Sequence, residues 1–189
     1  MIGGAGDIRF AAWEVLTAGL AAEVTRVNAA LAGAGRQMQL APFAQVALKF
    51  QLAQDPDHQT ILPAVHITPG TQASNDTPGN TPSNQAKLPY LSRFEIGIYT
   101  EAPTPGGDGL VDGLPGEGAL LVAMGHYRDA VMNVLLAKAA SGGLRGKGGV
   151  DTVSVIAAGH RLWQVNYETH AVTGGLDRFT LGIAHEHAR

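Results

Sequence analysis

The sequence predicts a single α+β domain over residues 1–189, with a mostly antiparallel sheet. Two long stretches carry apolar residues at steps of three and four, which is typical of amphipathic helices. Several shorter stretches alternate apolar and polar residues, as half-buried strands do. The 25 glycines and 10 prolines gather between these stretches and mark turns and loops. Strands joined by turns, with helices at two points only, favour the α+β class.

The first predicted helix spans residues 7–31. Asp7 suits the N-cap, because its carboxylate can accept a hydrogen bond from an unpaired amide of the first turn. Gly33 and Gly35 provide the stop. The apolar stripe of this helix consists of Trp13, Leu16, Leu20, Val24, Val27 and Leu31.

Three strands are predicted next, and a long loop interrupts them. The first two cover residues 42–52 and 60–68, and a turn at residues 55–57 separates them. Residues 69–90 are polar and hold hardly any aliphatic side chain, so they bury too little surface to offset their ordering entropy. We interpret them as a loop that is either mobile or ordered by a partner. Residues 91–101 alternate as a half-buried strand, and its core face carries Phe94, Ile96 and Ile98.

A second loop, residues 102–118, precedes the second predicted helix, residues 117–140. The polar face of this helix holds His126, Asp129 and Asn133 at helical spacing. Its core stripe consists of Leu120, Met124, Tyr127, Val131, Val134 and Leu135.

The last part of the chain predicts a glycine-rich connector, residues 141–149, and then three strands. The final two strands form a hairpin whose register we expect to follow their apolar faces. A three-residue loop, residues 174–176, sets Tyr167 opposite Ile183 and keeps the apolar side chains on the core side. The three strands cover residues 150–158, 162–172 and 177–187.

Composition excludes several function classes. The chain has 13 Lys and Arg against 16 Asp and Glu, a net charge of −3, which lacks the basic footprint of a dedicated nucleic-acid-binding domain. It has no cysteine, so disulfides and thiolate metal sites are excluded. We expect neither a signal peptide nor a membrane span, because no apolar run reaches the required length.

Three groups of residues could carry chemistry, and each has a simpler explanation. Residues 141–149 resemble a phosphate-binding loop, but Gly148 stands where Ser or Thr should bind magnesium. His126 and Asp129 have a spacing that lets a carboxylate orient an imidazole, yet no hydrolase or metalloprotease motif accompanies them. We therefore predict no catalytic residue and no cofactor, with a small histidine-dependent metal enzyme as the alternative.

A pair of histidines near the end of the chain forms a minimal metal half-site. His185 and His187 are two residues apart on a predicted strand and so share one face. The predicted register places them near Val165 and Trp163, with no carboxylate on that face. We therefore expect solvated or aromatic-packed histidines and no metal.

Mixed charges on the predicted sheet indicate either a solvated face or a subunit contact in which opposite charges set the register between neighbours. Both interpretations remain open at this point. The candidate interface residues are Arg93, Glu95, Arg161, Glu168 and Arg178.

The order of elements carries a resemblance to a known family. A long N-terminal amphipathic helix and two strands come before an outward loop, which ends in the strand RFEIGIY at residues 93–99. A central helix, HYRDAV at residues 126–131, and closing antiparallel strands follow. This arrangement resembles the tail terminator proteins of long-tailed bacteriophages and phage-like particles.

The resemblance implies a structural virion protein without catalytic residues. Its copies would form a hexameric ring that caps the tail tube, contacts the tube and head-tail connector proteins, and passes DNA through its lumen without sequence-specific binding. It implies assembly in the host cytoplasm and a place in the neck of the virion, with no membrane contact. The loops at residues 69–90 and 102–118 depart from the family pattern, so another neck, head-completion or tail tube subunit is the alternative.

Overall fold

The computed structural model describes residues 5–50, 59–69, 87–103, 109–140, 160–173 and 175–188. The predicted α+β class is confirmed. Along this part of the chain the elements are α1 (Ala5–Gly33), β1 (Gln45–Leu48), β2 (Ala64–Pro69), β3 (Lys87–Tyr99), α2 (Gly116–Ala140), β4 (His160–Thr173) and β5 (Leu176–Ala188). The turn predicted at residues 55–57, the connector at 141–149 and the strand at 150–158 lie outside the described residues.

The described strands form one five-stranded sheet in the order β1-β2-β3-β5-β4. Three of the pairings are antiparallel, and β1 pairs with β2 in parallel, with Val46 opposite Val65. A single turn at residues 55–57 would instead give an antiparallel pair. The pairing of β1 with β2 is therefore not that of a simple hairpin, because parallel neighbours cannot be joined by a tight turn.

Helix α1 has the predicted apolar stripe, and its ends differ from the prediction. It begins at Ala5, so Asp7 lies inside the first turn and the prediction of Asp7 as the N-cap is wrong. The C-terminal end follows the glycine signal. Gly35 has a φ of 74°, and the amide of Arg36 donates to the carbonyl of Leu31 at 2.9 Å, as in a Schellman motif.

The two helices approach each other closely where α1 has a glycine. A Cβ atom added at Gly19 would lie 2.8 Å from Cγ1 of Val134, so only glycine allows this contact without a shift. A polar contact also joins the helices, since Nδ2 of Asn133 donates to Oε1 of Glu23 at 2.9 Å. The hydrogen bond from Arg26 is the main cause that lowers the pKa of Glu23.

One hydrophobic core lies between the helices and the sheet. Helix residues on the predicted stripes pack there against alternating residues of the strands, which confirms the predicted core face of β3. The strand residues that are buried in this core are Val65, Ile67, Phe94, Ile96, Ile98 and Phe179.

The other face of the sheet is also buried at β2. Ala64, His66 and Thr68 are buried although they alternate with the core residues. The ring of His66 packs against Tyr99, with 4.7 Å between the ring centroids. Both faces of β2 are therefore shielded from water, which a simple alternating pattern does not predict.

Strand β3 begins earlier than predicted, which corrects one end of the loop assigned to residues 69–90. Residues 87–90 pair with β5, and Pro69 is the last residue of β2. The local sequence hides this strand because its partner comes much later in the chain. Proline is tolerated at position 89, since the described strands flank β3 there on one side only.

Part of the second predicted loop, residues 102–118, is regular. Val111 and Leu114 exchange two backbone hydrogen bonds, at 2.9 and 3.0 Å, and Asp112 and Gly113 between them have φ angles of 54° and 78°. Both central residues of a type I′ turn need positive φ, which explains the Asp-Gly pair. The Asp112 carboxylate accepts hydrogen bonds from the amides of Gln37 and Met38 and so holds the segment after α1.

The predicted hairpin register is wrong. Thr173 pairs with Leu176 across a two-residue connection, and Tyr167 lies opposite Leu181 instead of Ile183. The pairing shifts between Tyr167 and Thr169, where Glu168 is the additional residue. This bulge brings Tyr167 opposite the apolar Leu181 without a longer loop. Tyr167 therefore still pairs with an apolar residue, but because of a bulge in β4 and not because of a three-residue loop.

Beyond Phe94, β3 continues past the end of β2. Residues 87–93 pair with residues 182–188 of β5, and residues 182–187 pair in turn with residues of β4 between 160 and 166, with Trp163 left out of the pairing. We call this three-stranded extension the ribbon. At about 3.4 Å per residue, its seven-residue strands reach roughly 24 Å beyond the part of the sheet that β2 flanks.

Candidate functional site

Four of the five candidate interface residues lie on one face of the sheet. Phe94, Ile96 and Phe179 mark the face that packs on the helices, and alternation places their neighbours on the other face. Arg161 lies opposite Glu186 and shares this second face. We call the set the charged face; it consists of Arg93, Glu95, Arg161 and Arg178.

An ion pair joins two strands within the charged face. Nη2 and Nε of Arg178 lie 2.6 and 3.1 Å from Oε1 of Glu95, across the β3–β5 pairing. Both side chains are partly exposed. Because such pairs contribute only about 0–1 kcal/mol to stability, the fold loses little if a partner draws one of these charges into another contact.

Glu168 is the fifth candidate, and the sheet register does not assign it to the charged face, because it has no partner in β5. It occupies the bulge between Tyr167 and Thr169, where the pairing of β4 with β5 shifts. Bulges re-aim a strand and are common at functional edges. Since β4 is an edge strand of the described sheet, Glu168 lies at the border of the sheet.

The carboxylate of Asp129, whose spacing from His126 could orient an imidazole, is engaged by a different neighbour. Asp129 is exposed and forms an ion pair with Arg128, with 3.5 Å between Nε and Oδ1. His126 is half-buried on the same helix. Among the side chains that the structure describes, no three histidine, aspartate or glutamate groups come together in a way that could hold a metal ion.

A cleft of about 240 Å³ lies between α2, the start of the loop after β3 and the segment after α1. Tyr127 is one of its buried lining residues, and its hydroxyl donates to the carbonyl of Ala41 at 2.9 Å. Burial raises the pKa of Tyr127 to about 12, so this hydroxyl stays neutral at physiological pH. Tyr127 acts here as a buried donor that ties α2 to the segment after α1.

Three exposed apolar residues lie in β1 or in the described segments that follow β1 and precede β2, and the sequence did not single them out. Phe50 is 97% exposed and Ile61 is 66% exposed, and Leu48 of β1 is also exposed. We call these three residues the apolar edge. The sequence pattern placed all three in predicted strands, but only the observed sheet order shows that β1 has one described neighbour.

One buried residue of β5 is a carboxylate that the sequence pattern did not single out. Asp177 is fully buried in β5, opposite Ile98 of β3 and Val172 of β4. The signal was available, because Asp177 stands two residues before Phe179 and so falls on the same face of the strand.

Neither described helix combines the length and hydropathy that crossing a membrane requires. Comparison of the chain with known protein families and with characterised proteins gave no match.

Proposed function

We propose that this chain is a tail terminator subunit of a long-tailed bacteriophage or phage-like particle. Copies of the chain form a closed hexameric ring on the last ring of the tail tube, stop its growth and present the surface that joins the head. The resemblance in element order suggests this role. The observation that carries it is the presence of two unlike surfaces, the apolar edge and the charged face.

A closed ring of identical subunits needs two different, complementary surfaces on each subunit, because its interfaces are heterologous. The apolar edge flanks β1, at one border of the described sheet. The charged face lies on β3, β5 and β4. The apolar edge and the charged face are two separate surfaces for such contacts, the apolar edge against apolar side chains of a neighbour and the charged face against opposite charges.

The two surfaces contribute differently to assembly. Burying a large apolar side chain such as Phe50 or Ile61 stabilises a contact by roughly 1.5–3 kcal/mol. Charges add less affinity but exclude wrong registers, since like charges brought together are costly. In this proposal the apolar edge supplies binding energy, and the charged face fixes how neighbouring subunits align.

The remaining partners follow from the same role. The ring contacts the tail tube protein on one side and head-tail connector proteins on the other. DNA passes through its lumen, where a chain with a net charge of −3 offers no broad basic attraction. The proposed location is therefore the neck of the virion.

The mass of the purified chain over a range of concentrations tests this proposal. We expect native mass spectrometry and light scattering to detect a six-subunit species, and negative-stain electron microscopy to show a six-fold ring. A monomer at every concentration, including after mixing with a tail tube protein from the same source, contradicts the proposal. Long tubes formed by the chain alone favour the tail tube subunit instead.

Substitutions at the apolar edge locate the interface. Phe50→Ala or Ile61→Ala should raise the concentration at half-assembly by at least about tenfold, which corresponds to ~1.4 kcal/mol per contact. Leu121→Ala is the matched control, since Leu121 is 58% exposed on α2, an element that contributes no residue to the apolar edge. Equal effects of all three variants would place the interface elsewhere.

A further inference from the structure

Phe50 is the most exposed large apolar side chain that the structure describes. It is 97% exposed and directly follows Lys49, whose amide donates to the carbonyl of Ile67 in β2 at 2.9 Å. A phenylalanine ring left in water forfeits the stabilisation that its burial would give. Because so exposed a ring fills no cavity of its own chain, Phe50 is available to a neighbouring molecule.

The cleft beside Tyr127 has the size and the walls that such a ring needs. Its volume is about 240 Å³, and all of its eleven lining residues except Gln39, Thr100 and Glu101 are Leu, Ala, Pro or Tyr. An apolar cavity of about 150 Å³ accepts benzene. One phenylalanine ring therefore fits within this cleft, with room for the methylene group that carries it.

The ring and the cleft lie at opposite ends of the β1–β2 pair. Leu62 and Pro63 of the cleft directly precede β2, which begins at Ala64. Since β1 and β2 are parallel, Phe50 lies toward the other end, two residues after the strand position that pairs with Ile67. Four residue steps of about 3.3 Å separate Pro63 from Ile67, and the side chain of Phe50 does not span roughly 13 Å. A contact between the ring and a cleft therefore joins two molecules.

The charges beside the ring and at the cleft are complementary. Lys49 directly precedes Phe50, and Glu101 is the charged residue among those that line the cleft. Glu101 is exposed, and Lys49 is partly exposed. Opposite charges across a contact speed association and suppress wrong orientations, so these two residues can orient the ring as it enters.

We propose that Phe50 of one copy of this chain inserts into the cleft of the next copy, with Lys49 beside the Glu101 carboxylate of that copy. This inference rests on the proposed ring and names its contact. Ile61 directly precedes Leu62 of the cleft and is 66% exposed, so it is placed to border the entering ring. The contact uses two different surfaces of each subunit, which makes it heterologous and lets it repeat from copy to copy.

Disulfide formation between two variants tests the contact, because the chain has no cysteine of its own. Chains with Lys49→Cys and chains with Glu101→Cys both keep Phe50 and the cleft. Mixed in equal amounts with a mild oxidant, they should form a disulfide between positions 49 and 101, which peptide mass spectrometry identifies. Ala29→Cys in place of Glu101→Cys is the matched control, since Ala29 is exposed on α1, an element that contributes no lining residue. A yield no higher than that of the control overturns the proposal.

Blocking the cleft measures how much it contributes to assembly. Ala102→Trp places a ring among the lining residues, where Ala102 is exposed, and should raise the concentration at half-assembly by at least about tenfold. Ala29→Trp adds the same ring on α1 and should change that concentration by less than about twofold. Six-subunit rings that Ala102→Trp does not affect overturn this contact and leave the ring proposal standing. An unsubstituted chain that is monomeric at every concentration overturns both.

Discussion

The part of the sheet under the helices and the ribbon are built from the same strands, and they differ in how their order is specified. Under the helices, residues such as Leu16, Ile96 and Phe179 are each almost fully buried in one core. In the ribbon, the pairing of β4 with β5 depends on two shifts, one inside it between Leu162 and Gln164 and one just outside it between Tyr167 and Thr169. The arrangement under the helices therefore follows from the spacing of apolar residues along the chain. The arrangement in the ribbon follows from the register in which its strands pair.

The largest expected effect lies under the helices. Leu16→Ala removes a fully buried side chain and should lower the free energy of unfolding by about 2–5 kcal/mol. Leu121→Ala, on the exposed side of α2, should change it by no more than about 0.5 kcal/mol. Urea denaturation of both variants measures the difference. Similar losses in the two variants would mean that the helix stripe does not determine stability.

An intermediate effect on the free energy of unfolding is expected at the turn that joins β4 to β5. A Cβ atom at Gly175 would lie 2.5 Å from the backbone carbonyl oxygen of Thr100. The backbone there is also held in place, because the amide of Thr100 donates to the carbonyl of Gly175 at 2.9 Å. Gly175→Ala should therefore destabilise the fold by about 1–3 kcal/mol.

Gly125→Ala is the matched control for Gly175→Ala. Its added Cβ meets no atom within 4 Å, and replacing glycine inside helix α2 should stabilise the fold by roughly 0.5–1 kcal/mol. Thermal unfolding of both variants compares them. A neutral or stabilising Gly175→Ala substitution would show that the hairpin can move away from Thr100.

The smallest effect at neutral pH concerns a polar group beneath α2. Tyr127→Phe removes the hydrogen bond to Ala41 and should lower stability by about 0.5–1.5 kcal/mol. The difference in the free energy of unfolding between the unsubstituted chain and the Tyr127→Phe chain should then change at alkaline pH. Burial raises the pKa of Tyr127 to about 12, whereas an unfolded tyrosine ionises near 10.

The sign of this pH dependence follows from linkage. A raised pKa means that the unfolded state releases its proton first, so the contribution of Tyr127 is complete below pH ~10 and is lost as the pH rises toward ~12. The Tyr127→Phe chain does not lose stability in this way, because phenylalanine does not ionise. Denaturation of both chains between pH 8 and 11 should give stability curves that converge as the pH rises above ~10, and parallel curves would contradict the prediction.

The elements that were predicted well have strong local patterns. Helix α2 was predicted within one residue of its observed start, because its stripe from Met124 to Leu135 repeats at helical spacing. The core face of β3 was predicted for the same reason. The start of β3 at Lys87 was missed, because Pro89 and its polar neighbours show no alternation and their pairing partners lie in β5.

The candidate surfaces were predictable to different degrees. Alternation alone indicated that Arg93 and Glu95 share a face, and the structure adds the contact between Glu95 and Arg178. The apolar edge could not be predicted, because the exposure of Phe50 depends on which strand borders the sheet. A single sequence does not state the order of strands.

By itself the sequence determined the α+β class, the two helices and the buried faces of the strands, since hydrophobic periodicity is a local property that each segment carries. The tertiary structure alone decided the parallel pairing of β1 with β2, the bulge at Glu168 and the placement of His160 opposite His187. These features depend on contacts between distant segments. A shift of one residue in pairing changes every neighbour across the strands while leaving each local pattern intact.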